Sequence, residues 1–119
     1  MRKQLLSWQL SLYPDNHHDR TNLALHILTV PLFWAGTVGL GLAWLQPWLL
    51  LAGPAAMATA MALQGRGHKR ESVAPVPFEG AGDVVSRIFV EQWVTFPRFV
   101  WSGGFGRAWR RSPKDQSSR

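Results

Sequence analysis

Five residues carry most of the chemistry this chain could do: His17, His18, His26, His68 and Glu71. Cysteine is absent, which excludes disulfides, zinc ribbons, iron–sulfur ligation and thiol nucleophiles, leaves the redox compartment undetermined, and requires any metal to take His, Asp or Glu. Three or four neutral imidazoles with a carboxylate suit Fe(II), Zn(II) and similar ions alike, so these five residues are candidate ligands for a metal that chemistry alone does not name. The plainer reading is that imidazole is tolerated at a membrane surface and that His17-His18 is solvated in a polar loop. His26 is the strongest member, because an ionisable side chain inside an apolar run is a functional candidate by default. Other chemistries find no support. Ser86 and Ser102 lack a nucleophile-elbow context. Gly103-Gly104-Phe105-Gly106 has neither the preceding strand nor the following Lys-Ser or Lys-Thr of a phosphate loop, and reads as a flexible turn.

The elements that must position these residues are set by segregation along the chain. The 119 residues include seven Trp and are 46% hydrophobic, yet mean hydropathy is near zero. No Asp, Glu, Lys or Arg lies between Arg20 and Arg66. Within that block, residues 23–45 are almost wholly apolar and long enough to cross roughly 30 Å of hydrocarbon. Residues 47–63 form a second run at the short end of the spanning range of about 17–25 residues. The expected fold is therefore an all-α membrane protein built on a two-span hairpin, with Pro47 in the first turn of the second helix and Gln46-Pro47 between Trp44 and Trp48 at an interface. Ala35, Gly39 and Ala43 on the first run, and Ala52, Ala56 and Ala60 on the second, make small-residue stripes that let helices approach closely. Pro31 and Pro54 predict local kinks.

Amphipathic interfacial helices are expected on either side of the hairpin. Leu5 to Tyr13 reads as a short interfacial helix rather than a signal peptide, because Asp15, Asp19 and Arg20 follow it without a small-residue cleavage site. Residues 72–82 read as a Pro- and Gly-rich loop. Asp83 then caps a helix over about 84–96 that ends before Pro97 and lies on the membrane or docks on the hairpin. Residues 99–109, mixing aromatics with Gly and Arg, suit an interface with anionic lipid. Residues 112–119 read as a disordered polar tail, and residues 1–111 as a single domain.

Hairpin geometry gathers the histidines. His26 lies 20 residues before Gln46 and His68 lies 21 after Pro47, so antiparallel helices put both at one depth. His17 and His18 precede the first run on the same side, and Glu71 follows His68 by three. Arg2, Lys3 and Arg20 before the hairpin, with Arg66, Lys69 and Arg70 after it, place both termini in the cytoplasm by the positive-inside rule. A net charge of +6 could serve nucleic acid, but its confinement to the flanks of an uncharged block argues for a bilayer and against nucleic acid.

Two blocks carry a resemblance. Tyr13, His17, Asn22, His26 and Pro31 read Y-x3-H-x4-N-x3-H-x4-P, and Gln64, Gly67, His68 and Glu71 read Q-x2-G-H-x2-E, followed by Pro75. Together they resemble the signature blocks of the Mpo1-like (DUF962) family, and residues 87–105 resemble the carboxy-terminal part of its bacterial members. The resemblance implies an integral membrane protein of a bacterial inner membrane, acting as an Fe(II)-dependent dioxygenase of α-oxidation. With O2 it would convert a 2-hydroxy fatty acid to the acid one carbon shorter. The family's essential histidines correspond to His17, His26 and His68, with His18 a fourth. Eukaryotic members are longer, with additional spans; this chain offers two.

On that reading Glu71 either ligates the metal or orients a ligand imidazole. Asn22, with Tyr13 and Gln64 from the same blocks, stands behind the ligands. Arg66, Lys69 or Arg70 either pairs with the substrate carboxylate or is solvated positive-inside charge, and the acyl chain lies along the hairpin in lipid. Homo-oligomerisation is left open. The rival reading is a non-catalytic membrane scaffold or partner-binding protein in which the histidines only pack.

Overall fold

The computed structural model describes residues 3–111, so Arg2 and the expected polar tail at 112–119 lie outside the described residues. The chain runs α1 (Leu5–Leu12), a 3-10 turn (Tyr13–Asn16), α2 (Arg20–Gly41), α3 (Leu49–His68), α4 (Ala81–Val90), a π-helical turn (Glu91–Thr95), α5 (Phe96–Trp101) and α6 (Gly104–Arg111). All regular structure among the described residues is helical.

α2 starts where its cap dictates. The Asp19 carboxylate accepts the Asn22 backbone N–H at 3.0 Å, which satisfies one orphan donor of the first turn and moves the start three residues ahead of the apolar run. Pro31 lies inside the helix without ending it. Helix α2 stops at Gly41 rather than at residue 45, and residues 42–48 form successive turns. Pro47 therefore stands two residues before α3, its carbonyl accepting the Leu50 N–H at 3.0 Å.

α2 and α3 pair closely along the hairpin. They approach closely at Gly36 and Gly53, where a methyl group on Gly36 would lie 2.6 Å from the Gly53 carbonyl oxygen, and again near the site, where a methyl group on Gly67 would run into Asn22. The expected stripes are only partly used. Ala60 is fully buried and Ala56 faces Gly36, but Ala35 is exposed and neither contacting glycine belongs to a stripe.

Among the described residues one helix, α2, with a mean hydropathy of 1.7, is long and apolar enough to cross a membrane. α3 has 20 residues, but its last turns, Gln64-Gly65-Arg66-Gly67-His68, are polar and pull it below that standard. Large apolar side chains nevertheless stay on the surface, with Trp101 93%, Leu51 81% and Trp44 78% exposed.

The carboxy-terminal part docks on the hairpin. α4 follows Gly80, and Asp83, expected as the cap, sits in the first turn, where its carboxylate accepts the Glu79 N–H at 2.9 Å. The helical path does not stop before Pro97. The π turn immediately precedes it and widens the backbone where Pro97 lacks an N–H, so helix continues through α5 to Trp101. Only Gly103, at φ 89°, makes the turn expected of residues 103–106; the following residues enter α6. Phe96, Phe99 and Ala108 bury against Tyr13, Leu23 and Val30.

Candidate metal centre

Two of the imidazoles are aimed by the backbone carbonyl one helical turn before them. His17 Nδ1–H donates to the Tyr13 carbonyl at 3.0 Å, and His26 Nδ1–H donates to the Asn22 carbonyl at 2.9 Å. A carbonyl can only accept, so in both rings Nδ1 carries the proton and Nε2 presents a lone pair. Stacking of the Tyr13 ring on His17, with centroids 3.6 Å apart and planes 8° from parallel, fixes the first ring further.

His68, at the last residue of α3, meets both. The three imidazoles stand mutually edge-on, with centroids 4.8 Å (His17–His26), 4.6 Å (His17–His68) and 5.0 Å (His26–His68) apart. Glu91, the first residue of the π turn, closes the group, and one ligand atom from each of the four residues lies within 4.8 Å of all the others. His17 Nε2, His26 Nε2 and His68 Nδ1 are buried without a hydrogen-bond partner.

Charge then favours an ion. Glu91 Oε2 lies 3.5 Å from His17 Nε2, and both atoms are acceptors when His17 is neutral. Burial, reinforced by His18 and only partly offset by the Tyr13 carbonyl, pushes the His17 pKa down to about 3, so the ring is neutral near neutral pH. A bound cation would satisfy both acceptors at once, and the group is arranged so that it could hold one. The buried Tyr13 hydroxyl is held protonated, its pKa raised by burial and by the Glu91 charge.

The structure thus brings His17, His26 and His68 together, as the hairpin geometry required. It does not bring in Glu71 or His18. Helix α3 ends at His68, and Glu71 turns away so that its carboxylate accepts the backbone N–H groups of His18 and Asp19, each at 3.0 Å, and the Asn22 side-chain amide at 2.6 Å. Glu71 is a strut joining the end of α3 to the start of α2, where the helix dipole favours an anion. His18 Nδ1 stands 3.4 Å from Glu71 instead of facing the other imidazoles.

Sequence reasoning missed Glu91. It falls within the amphipathic helix expected over 84–96, and only the packing of that segment aims it at His17. Of the expected flanking residues, Tyr13 and Asn22 act on the ligands through their carbonyls. Gln64 reaches the site through Gln92, with its Nε2–H donating to Gln92 Oε1 at 2.9 Å.

A cavity of about 520 Å³ opens beside the centre, lined by His17, His68 and Glu91 at one end and by apolar groups including Trp8, Leu12, Met61 and Ile88. Of the expected carboxylate partners, Lys69 lines this cavity, whereas Arg70 pairs with Asp19 at 3.2 Å and Arg66 is solvent-exposed away from it. Arg87 also lines it, but its guanidinium donates to the Val76 and Pro77 carbonyls at 2.7 and 3.2 Å and pins the loop before α4.

Fold and site define an all-helical protein with a buried His3Glu group able to hold a metal ion. Comparison with protein-family models, curated proteins and solved structures finds no match.

Proposed function

We propose that this protein is an Fe(II)-dependent dioxygenase-like membrane enzyme that shortens 2-hydroxy fatty acids by one carbon, with the hairpin of α2 and α3 embedded in a bacterial inner membrane and both termini cytoplasmic. The observation that carries the reading is the convergence of three buried, unpartnered ring nitrogens and one carboxylate. The signature-block resemblance supplies the substrate class and the metal. Apolar side chains left on the surface support the membrane setting, since a soluble monomer of this size rarely exposes so many.

His17, His26, His68 and Glu91 would hold the iron, which would supply O2 activation. The remaining roles belong to the chain. The Tyr13 and Asn22 carbonyls hold two imidazoles in the ligating tautomer. Phe96 and Phe99 close the inner side of the site against water. The cavity receives the acyl chain among Leu12, Met61 and Ile88, and Lys69 offers a cation to the substrate carboxylate.

On this reading the acyl chain lies in the protein's own cavity rather than in lipid along the hairpin. Incubating purified, iron-loaded protein with 2-hydroxy fatty acids under O2 tests the reading: mass spectrometry should find the acid one carbon shorter, and absence of product with iron bound would leave a non-catalytic membrane protein as the better account.

A further inference from the structure

A pair of buried amides stands directly behind Glu91. Gln92 and Gln64 are 0% and 1% exposed, and they exchange two hydrogen bonds. Gln64 Nε2–H donates to Gln92 Oε1 at 2.9 Å, and Gln92 Nε2–H donates to Gln64 Oε1 at 2.6 Å. The second Gln64 amide hydrogen goes to Thr29 Oγ1 at 3.0 Å. That leaves the second Gln92 hydrogen, and it is directed to Glu91 Oε1 at 3.3 Å. The other oxygen of the same carboxylate faces His17. Glu91 is thereby held between an amide on one side and the imidazoles on the other.

Glu91 and Gln92 are successive residues at the start of the π turn, which opens at Glu91 and closes at Thr95; the carboxylate of one faces His17 and the amide of the other faces Gln64. The ends of the turn are fastened. The Trp34 indole N–H donates to the Gln92 carbonyl at 2.7 Å, and the buried Thr95 hydroxyl donates to Gln9 Oε1 at 2.5 Å. π turns often mark functional sites.

We infer that the Gln64–Gln92 amide pair, held on the π turn, is a positioning device that fixes the Glu91 carboxylate as the anionic ligand of the metal centre. The inference rests on the metal-centre reading and adds to it residues that need not touch the ion. Gln64 on α3 then couples the hairpin to the carboxylate, so that hairpin packing and metal affinity are linked.

A double-mutant cycle with Co(II) as the probe tests it. Gln64→Leu/Gln92→Leu removes both amides together, which avoids leaving one buried and unsatisfied. Co(II) affinity should fall about 10- to 100-fold, the usual cost of losing a group that orients a ligand. The visible Co(II) spectrum should shift toward that of Glu91→Gln. In the Glu91→Gln background the same pair of substitutions should cost little further affinity, because the group they orient is already gone.

A purely structural pair would lower the melting temperature but leave Co(II) affinity unchanged or additive with Glu91→Gln, and that result overturns the proposal. If the double variant does not fold, Gln92→Met, which keeps the Gln64–Thr29 bond, carries the same comparison. Failure of wild-type protein to bind Co(II) would instead overturn the metal centre itself, so the two failures are distinct.

Discussion

At the scale of single residues, the centre depends on which nitrogen of each imidazole is free. His26→Ala and His68→Ala each remove a ligand and should lower Co(II) or Zn(II) affinity at least 100-fold by equilibrium dialysis, while His18→Ala and Glu71→Gln should not remove the ion. Glu71→Gln should act on stability instead. It weakens a carboxylate bonded to two backbone N–H groups and to Asn22, and a loss of about 1.5–3 kcal/mol in the melting curve of the detergent-solubilised protein is expected. The His17 pKa, about 3 in the folded chain against about 6.5 in an unfolded one, means that the unfolded state binds the extra proton between those values. Stability of the metal-free protein should therefore fall as pH drops from about 6.5 toward 3, and His17→Phe should flatten that slope. The convergence of the three histidines was legible in the sequence because equal counts from a turn fix equal depth. Glu71 misled because spacing of three from His68 implies a shared face only if the helix continues, and it does not.

At the scale of elements, the hairpin is set by two glycines and the site by a helix that does not stop where a proline suggests it should. Gly36→Val would drive a branched side chain into the Gly53 carbonyl; a loss of about 1–3 kcal/mol is expected from overpacking, together with weaker metal binding as His26 and His68 separate. A conservative Ala35→Val, on an exposed position, should be nearly silent, and measuring both separates the real contact from the expected stripe. The lengths of α2 and α3 were readable from hydropathy to within a few residues, and their ends were not, because Asp19 capping and the turns at 42–48 are local hydrogen-bond events. Glu91 was out of reach for a related reason. It lies 23 residues beyond His68, across a loop, and faces His17 only through tertiary packing of the segment that carries it.

At the scale of the whole molecule, one elongated body of 53 × 29 × 24 Å puts a hydrophobic surface, a cavity and the His3Glu group side by side. If the cavity holds the acyl chain, Met61→Trp should shorten the preferred substrate by several carbons without changing bound metal, which a chain-length series read by mass spectrometry would detect. The all-helical class, the gathering of three histidines and the apolar block followed from sequence periodicity and charge segregation. The fourth member of the group and the cavity did not, because both are made by tertiary packing: the π turn sits against α2, and α1 packs on α4 and the π turn. The most direct test of the central claim is metal stoichiometry by elemental analysis of anaerobically purified protein reconstituted with Fe(II). One iron per chain in the wild type, lost in His26→Ala and retained in His18→Ala, is the predicted result; no bound iron, or iron held equally well by His26→Ala, would contradict it.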